Sequence, residues 1–521
     1  ASPVAIEWDA DGALFVCEMR GYSENRNDQL SRITRLVDDN DDGIFDRKTV
    51  FVEGLLWPTA VFPYDGGLFV ADAPDILYFK DTNDDGIADE KEVIYTGFST
   101  GNVQGLLNSF RWGLDNRVHI ACGTVGGKVR RAGDDEAKAV EVRGHDFAFD
   151  PKTYEFSLTS GGAQHGMCFD DWGRKFVSSN SDHLQQVMYE DRYIARNPLL
   201  AAPPVRKSIA IDGPQAEVFR VSPVEPWRIV RTRLRVAGLV GGPVEGGGRA
   251  AGYFTGATGV TIYRGDAWAE PFRSLAIIGD VGSNLVHRKR LMPNGVHMLG
   301  SRMDVESEFI ASTDNWFRPA QFACGPDGNL SIVDVYREVI EHPKSLPPEI
   351  KQHLDLTSGR DRGRIYRVVS DGYRHRPTPH LSSLSSEMLV KLLEHRNAWH
   401  RETAARLIFE RGDHSIYDQL RRQASQSESA LGRLHSLYAL KGLNELEPAD
   451  LVARFSDPHP QIVRHAVRLS ESFPSDDSIA EGLSRLIDHP SIEVRYQLAF
   501  TLGEFSLEST PDLLADLLMQ D

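Results

Sequence analysis

No two of the four cysteines, Cys17, Cys122, Cys168 and Cys324, form a CxxC pair. That spacing excludes a local zinc site, an iron–sulfur site and a c-type haem attachment within this span, and leaves the redox compartment open. No run of about 18 apolar residues occurs, so no transmembrane helix is expected. The net charge is −17, with 75 acidic against 58 basic residues, and no Lys/Arg tract offsets it. A nucleic-acid partner is therefore excluded, because phosphate binding needs clustered positive charge. Divalent cations, neutral sugars and other uncharged ligands suit the balance better. GxGxxG loops, nucleophile elbows and HExxH motifs are also missing, which removes their enzyme classes. The chain opens at Ala1 without Met or signal peptide and ends in a helical pattern, so a mature form or fragment is expected.

What the chain does contain is repetition. An apolar strand, an Asp/Gly turn and a second apolar strand recur at Val4–Val16, Pro58–Val70, Phe110–Asn116, Gly166–Val177 and Gln321–Val333. The first four turns, near 12, 67, 116 and 173, lie 55, 49 and 57 residues apart, and 155 residues separate 173 from 328. Two degenerate copies are expected in that gap, near Ala216–Arg220 and near Gly259–Ile278. Units of about 40–50 residues with four short strands indicate a β-propeller of six or seven blades over residues 1–370, with a β-sandwich as the alternative. A Pro-rich linker, 371–383, contains Arg376-Pro377-Thr378-Pro379. Helical periodicity then runs over 384–521. Arg401, Arg433, Arg464 and Arg495 recur at 32, 31 and 31 residues, as in a HEAT-like solenoid. Their expected role is structural, and a plain helical bundle is the alternative.

Two segments, Asp38–Asp46 and Asp81–Asp89, both read D-x-N-x-D-G-x-x-D between strand-like flanks. Oxygen donors at positions 1, 3, 5 and 9, with a Gly at 6, describe an EF-hand-type calcium loop. The predicted ligands are Asp81, Asn83, Asp85, Asp89 and Glu92, with the Ile87 carbonyl, and a weaker set Asp38, Asn40, Asp42 and Asp46. The alternative is a pair of acidic turns that need no metal.

The segments LVDDNDDGIFDRKTVFVEGLLWPTA, DTNDDGIADEKEVIYTGF, NSFRWG, DNWFRPAQFACGPDG and RGRIYRV resemble those of the PVC-type haem-binding CxxCH proteins, a family described as membrane-bound dehydrogenases. The resemblance covers nearly the whole chain. It implies a propeller similar to the soluble quinoprotein sugar dehydrogenases, followed by helical repeats, and a periplasmic or otherwise extracytoplasmic location. It also implies oxidation of a sugar or other alcohol with pyrroloquinoline quinone, and electron delivery to a haem domain or a cytochrome-type partner. Two departures stand out. No CxxCH is present, so haem c would belong to a domain outside this span. Gly105 stands in Asn102–Asn108, where relatives usually carry a histidine near the position of the quinoprotein general base.

The remaining candidate base is His165, at a blade entrance, since histidine titrates near neutral pH; its bland role is a loop histidine bonded to backbone. Arg111 and Arg318 precede or enter inner strands and could clamp quinone carboxylates, or bridge blades by salt bridges. Asp334 and Arg337 follow the last strand, and Asp182 and His183 another; either pair could line the channel or close a turn. The competing reading is a non-catalytic propeller that binds carbohydrate or protein, with the solenoid as a docking surface.

Overall fold

The computed structural model describes residues 2–197, 199–506 and 509–520. Six antiparallel sheets form between Pro3 and Val368. Blade 1 comprises Pro3–Trp8, Leu14–Glu18, Ser31–Val37 and Arg47–Leu55, and blade 2 comprises Pro58–Tyr64, Gly67–Asp72, Asp75–Lys80 and Glu90–Phe98, extended at its outer edge by Gly127–Arg131 and Val140–Glu141. Blade 3 is Asn108–Trp112, Val118–Ala121, His145–Phe149 and Phe156–Ser160; blade 4 is Met167–Phe169, Lys175–Ser179, Asp182–Val187 and Arg206–Ser208. Blade 5 is Ala257–Ile262, Leu275–Asp280, Leu285–Asn294 and His297–Arg302, with Ile310–Ala311 beside its third strand. Blade 6 has three strands, Pro319–Cys324, Leu330–Asp334 and Arg364–Val368.

The first strand of each blade packs against the first strand of the next, and blade 6 packs back on blade 1, so the ring closes at six. The predicted extra copy near Ala216–Arg220 is not a blade. It holds only an isolated bridge, Glu217 to Tyr253, before the helix Pro226–Val236. Its apolar positions, Ala216 and Val218, are buried without a strand partner sequence long enough to make a sheet.

Stacking explains the apolar content of the inner strands. Pro58–Tyr64 and Gly67–Asp72 are buried at every position, because both faces of a blade are covered by neighbours. One core cluster joins Phe15, Ile33 and Phe51 of blade 1 to Val61, Leu77 and Phe79 of blade 2. Each side of a seam also exchanges polar contacts. Gln321 accepts from the Ile6 amide at 3.3 Å, Trp57 donates to Gly21 O at 3.1 Å, and Asn108 donates to Gln164 O at 3.1 Å.

The chain divides into two compact units: Ala1–Gly113 with Arg117–Met292 and Leu299–His380, and Leu114–Asn116 with Pro293–Met298 and Leu381–Asp521. In the second unit, helices Ala398–Arg411, Ala430–Gly442, Pro460–Leu469 and Ile492–Leu502 pack in succession as one layer. Ser386–Leu392, Tyr417–Gln426, Pro448–Val452 and Asp477–Ser484 form the other. This is a solenoid-like arrangement. Arg401, Arg433 and Arg495 occupy equivalent places: each Nη1 donates to the carbonyl six residues upstream, His395, Ser427 and His489, at 2.6, 2.7 and 2.6 Å. Arg433 then pairs with Asp457 of the next repeat through two 2.8 Å bonds. Arg464 lies on the third of these helices, and its Nη2 meets His465 Nε2 at 2.9 Å.

Candidate functional site

The loops that enter the inner strands and leave the second strands lie at one end of the ring. Four second strands end in an acid there: Glu18, Asp72, Asp280 and Asp334. Three of these acids accept the amide just before, or at the start of, the inner strand beside them. Asp72 takes Leu56 N at 3.0 Å, Asp280 takes Thr255 N at 3.1 Å, and Asp334 takes Arg318 N at 2.8 Å. Asp334 is thus one copy of a repeated brace that fixes the strand entrance, with Oδ1 taking the Arg318 and Tyr336 amides and Oδ2 buried without a hydrogen-bond partner. Burial pushes the Asp72 and Asp334 carboxyls up to about 6.

His165 sits in the loop before Met167–Phe169. Its backbone is clamped: its N donates to Ser178 O at 3.2 Å, and its O accepts from Gly259 N at 3.3 Å. Gly166, at φ +104°, makes the approach to blade 5 feasible, since a Cβ there would stand 2.7 Å from Val260 N. His165 Nδ1 lies 2.6 Å from Thr258 Oγ1, which also reaches Ala320 O at 3.1 Å. With the threonine proton directed to Ala320, Nδ1 carries the imidazole hydrogen and Nε2 bears the lone pair. The ring lies deep in the propeller, yet Nε2 keeps access to solvent. Burial, reinforced by the Arg111 cation, lowers its pKa to about 4, so His165 is neutral at pH 7.

Arg111, on Asn108–Trp112, is half-buried, donates to Phe110 O at 2.7 Å and lies 3.8 Å from Glu7. It does not form the predicted clamp with Arg318. All five Arg318 N–H groups are spent inside the scaffold, on Glu225 Oε1 twice and on the carbonyls of Val281, Arg337 and Glu338. Arg337 is equally buried; it donates to Thr357 O and to Ser2 Oγ, and burial lowers its pKa to about 10. Arg318 therefore has no bidentate fork left for a ligand carboxylate, whereas Arg337 Nε is buried with no hydrogen-bond partner. His183 stacks on Phe254 with ring centroids 4.1 Å apart, and Asp182 accepts from Ser208, so this pair braces blade 4.

Sequence reasoning missed the polar residues around His165. Gln104 donates to Tyr22 O–H at 2.9 Å, and Gln164 donates to Gln104 O at 3.2 Å. The place relatives fill with histidine is closed: a Cβ on Gly105 would stand 2.3 Å from Thr124 Oγ1. The available signal was a glutamine three or four places before the third and fourth inner strands.

The twin acidic loops are hairpin tips. Asp38 accepts from Asp42 N and Gly43 N, Asn40 from Asp42 N, Asp42 from Ile44 N, and Asp46 from Asp39 N. Asp81, Asn83, Asp85 and Asp89 repeat the pattern on Gly86, Asp85, Ile87 and Thr82 amides. Glu92 pairs with Tyr78, two ladder steps below Lys80 and Glu90. Among the described residues no three acidic, histidine or cysteine side chains converge on a cation-sized position. Most of the side-chain oxygens serve the loops' own amides, while Asp81 Oδ1 is buried with no hydrogen-bond partner. Each loop also reaches the preceding blade's territory. Arg367 donates to Gly43 O at 3.0 Å, and Ala88 N donates to Phe51 O at 2.8 Å.

The fold and this loop cluster define a six-bladed propeller with a neutral histidine at the entrance of an inner strand. The chain belongs to the family described as "Domain of unknown function (DUF7133)", whose model matches residues 1–372. No curated protein matches it. Among solved structures it is similar to a luciferin-regenerating enzyme, at 9% identity and TM-score 0.40, over 72% of this chain and 94% of that one. A glucose dehydrogenase matches at 14% and 0.37, over 64% and 93%. The PQQ domain of pyranose dehydrogenase from Coprinopsis cinerea matches at 11% and 0.34, over 64% and 90%. Among the described residues no helix is long and apolar enough to cross a membrane.

Proposed function

We propose that the propeller is an extracytoplasmic oxidoreductase acting on a hydroxyl of a sugar or other small polar alcohol, with His165 as the base. The observation that carries this reading is the His165 geometry: neutral at pH 7, tautomer fixed by Thr258, Nε2 open to solvent. A hydroxyl hydrogen-bonded to Nε2 would lose its proton there, while the Arg111 cation nearby favours the developing alkoxide. The polar chain Gln164–Gln104–Tyr22 offers the donors and acceptors a polyol needs for orientation. Pyrroloquinoline quinone is the electron acceptor that the sequence resemblance implies. Of the residues predicted to hold its carboxylates, Arg318 spends all five N–H groups inside the scaffold, so no step is derived through the quinone. A haem c domain outside this span, or a cytochrome-type partner, remains the proposed electron outlet.

The commitment of Arg318 favours the second reading, a non-catalytic propeller that binds carbohydrate or protein, with a HEAT-like solenoid as docking surface. Purified full chain, with and without pyrroloquinoline quinone and calcium, should reduce an artificial dye over a panel of sugars and alcohols, and His165→Asn should abolish the signal. No turnover with any donor, together with saturable binding of a glycan in calorimetry, would replace the oxidoreductase by the binding reading.

A further inference from the structure

The helix Pro226–Val236 carries Arg228 and Arg231 one turn apart, and both are more than nine-tenths buried. Burial of charge is tolerated only where every cation meets a counter-ion and every N–H a partner. Here every cation meets a carboxylate, but the carboxylates are shared and two N–H groups have no partner. The buried cations in contact are Arg220, Arg228, Arg231 and Arg318. The acids that face them are Glu225, Glu341 and Asp280. Four positive groups thus meet three negative ones.

The shortage is local. Arg228 and Arg231 share one oxygen, Glu341 Oε2, at 3.9 and 2.7 Å. Both guanidiniums also lie over the Trp227 ring, 4.9 and 5.2 Å from its centroid. The two adjacent cations are therefore held by one shared Glu341 oxygen, by Glu225 Oε2 on Arg228 at 3.3 Å, and by a π face. Arg228 Nη2 and Arg231 Nε are buried with no hydrogen-bond partner. Water could satisfy the two N–H groups and would leave the charge uncorrected. An oxyanion corrects both, since its oxygens match guanidinium donors in length and angle.

We propose that Arg228 and Arg231 form a binding site for a small oxyanion, a carboxylate or phosphate group, seated between their free N–H groups beside Trp227. The site stands apart from the proposed oxidation, because anion binding needs no turnover and no electron acceptor. A bound anion would neutralise the arginines and satisfy their unpartnered N–H groups.

The test is calorimetry and thermal melting of the full chain in sodium formate, sodium phosphate and sodium chloride at matched ionic strength. A saturable heat and a saturable rise in melting temperature with formate or phosphate, beyond chloride, are expected. Formate alone identifies a carboxylate site, and phosphate alone a phosphate site. Arg231→Met should weaken the response about tenfold or more, while Arg231→Lys should retain part of it. The same melting response in all three salts, or an unchanged affinity in a folded Arg231→Met protein, would overturn the proposal. Should Arg231→Met fail to fold, the wild-type chain still decides, since no saturable heat with either oxyanion also overturns it.

Discussion

At the scale of single residues, environment and not residue type separates the titrating groups. His165 has a folded pKa near 4 against about 6.5 for a free imidazole, so the unfolded chain binds more protons between those values. Its contribution to stability is complete above about pH 6.5 and declines as pH falls toward 4. The same shift keeps Nε2 unprotonated, so oxidation should show no acidic limb above about pH 5, and His165→Asn should lower its rate by about 100-fold or more. A pH–rate profile with an acidic limb near 6.5 would remove His165 from the role. Asp72 and Asp334 act in the opposite direction. Their folded pKa near 6 exceeds the unfolded value, so the native state holds the extra proton, and stability falls as pH rises from about 4 through 6. Asp72→Asn keeps the oxygen that receives Leu56 N and discards the charge. It should melt like the parent at pH 4.5 and be more stable by about 1–2 kcal/mol at pH 8, as read by urea titration at the two values.

Structural elements explain which parts of the fold were legible. The propeller was readable because each inner hairpin repeats an apolar–Asp/Gly–apolar pattern, and a buried blade tolerates little else on its inner strands. The false blade near Ala216 arose from buried apolar residues that serve a helical insertion, whose arginines gave no strand or helix signal of their own. The twin D-x-N-x-D-G loops were read for their oxygens, yet the same spacing also builds a turn in which Asx side chains accept the following amides. Asp81→Ala should therefore cost about 1 kcal/mol, with equal melting shifts in chelator and in millimolar calcium. A calcium-dependent difference would restore the cage. His165 was legible as a histidine at a strand entrance, whereas the failure of the Arg111–Arg318 clamp was not, because Glu225 lies 93 residues from Arg318 in sequence. In the solenoid the arginine period was legible and its partners follow from it. Arg433→Met removes the two-bond partner of buried Asp457 and leaves it only Arg454 as counter-ion, which should cost about 3 kcal/mol in urea melts. Arg485→Met, at an exposed pair with Glu481, should cost less than about 1 kcal/mol.

For the whole propeller unit, closure is the distinctive property. Blade 1 is built entirely from residues before Pro58 and blade 6 entirely from residues after Phe317, so no strand is lent across the join. The join is instead made by inner-strand packing, by Gln321 on Ile6, and by Ser2 Oγ, which donates to Arg360 O at 2.7 Å and accepts from Arg337. Gln321→Ala should lower the melting temperature of the propeller while leaving the solenoid transition unchanged in calorimetry. Because Ser2 touches residue 360, the ring has no topologically privileged origin. A short splice at this junction, with new termini opened between blades 3 and 4, would give a circular permutant with the same six sheets.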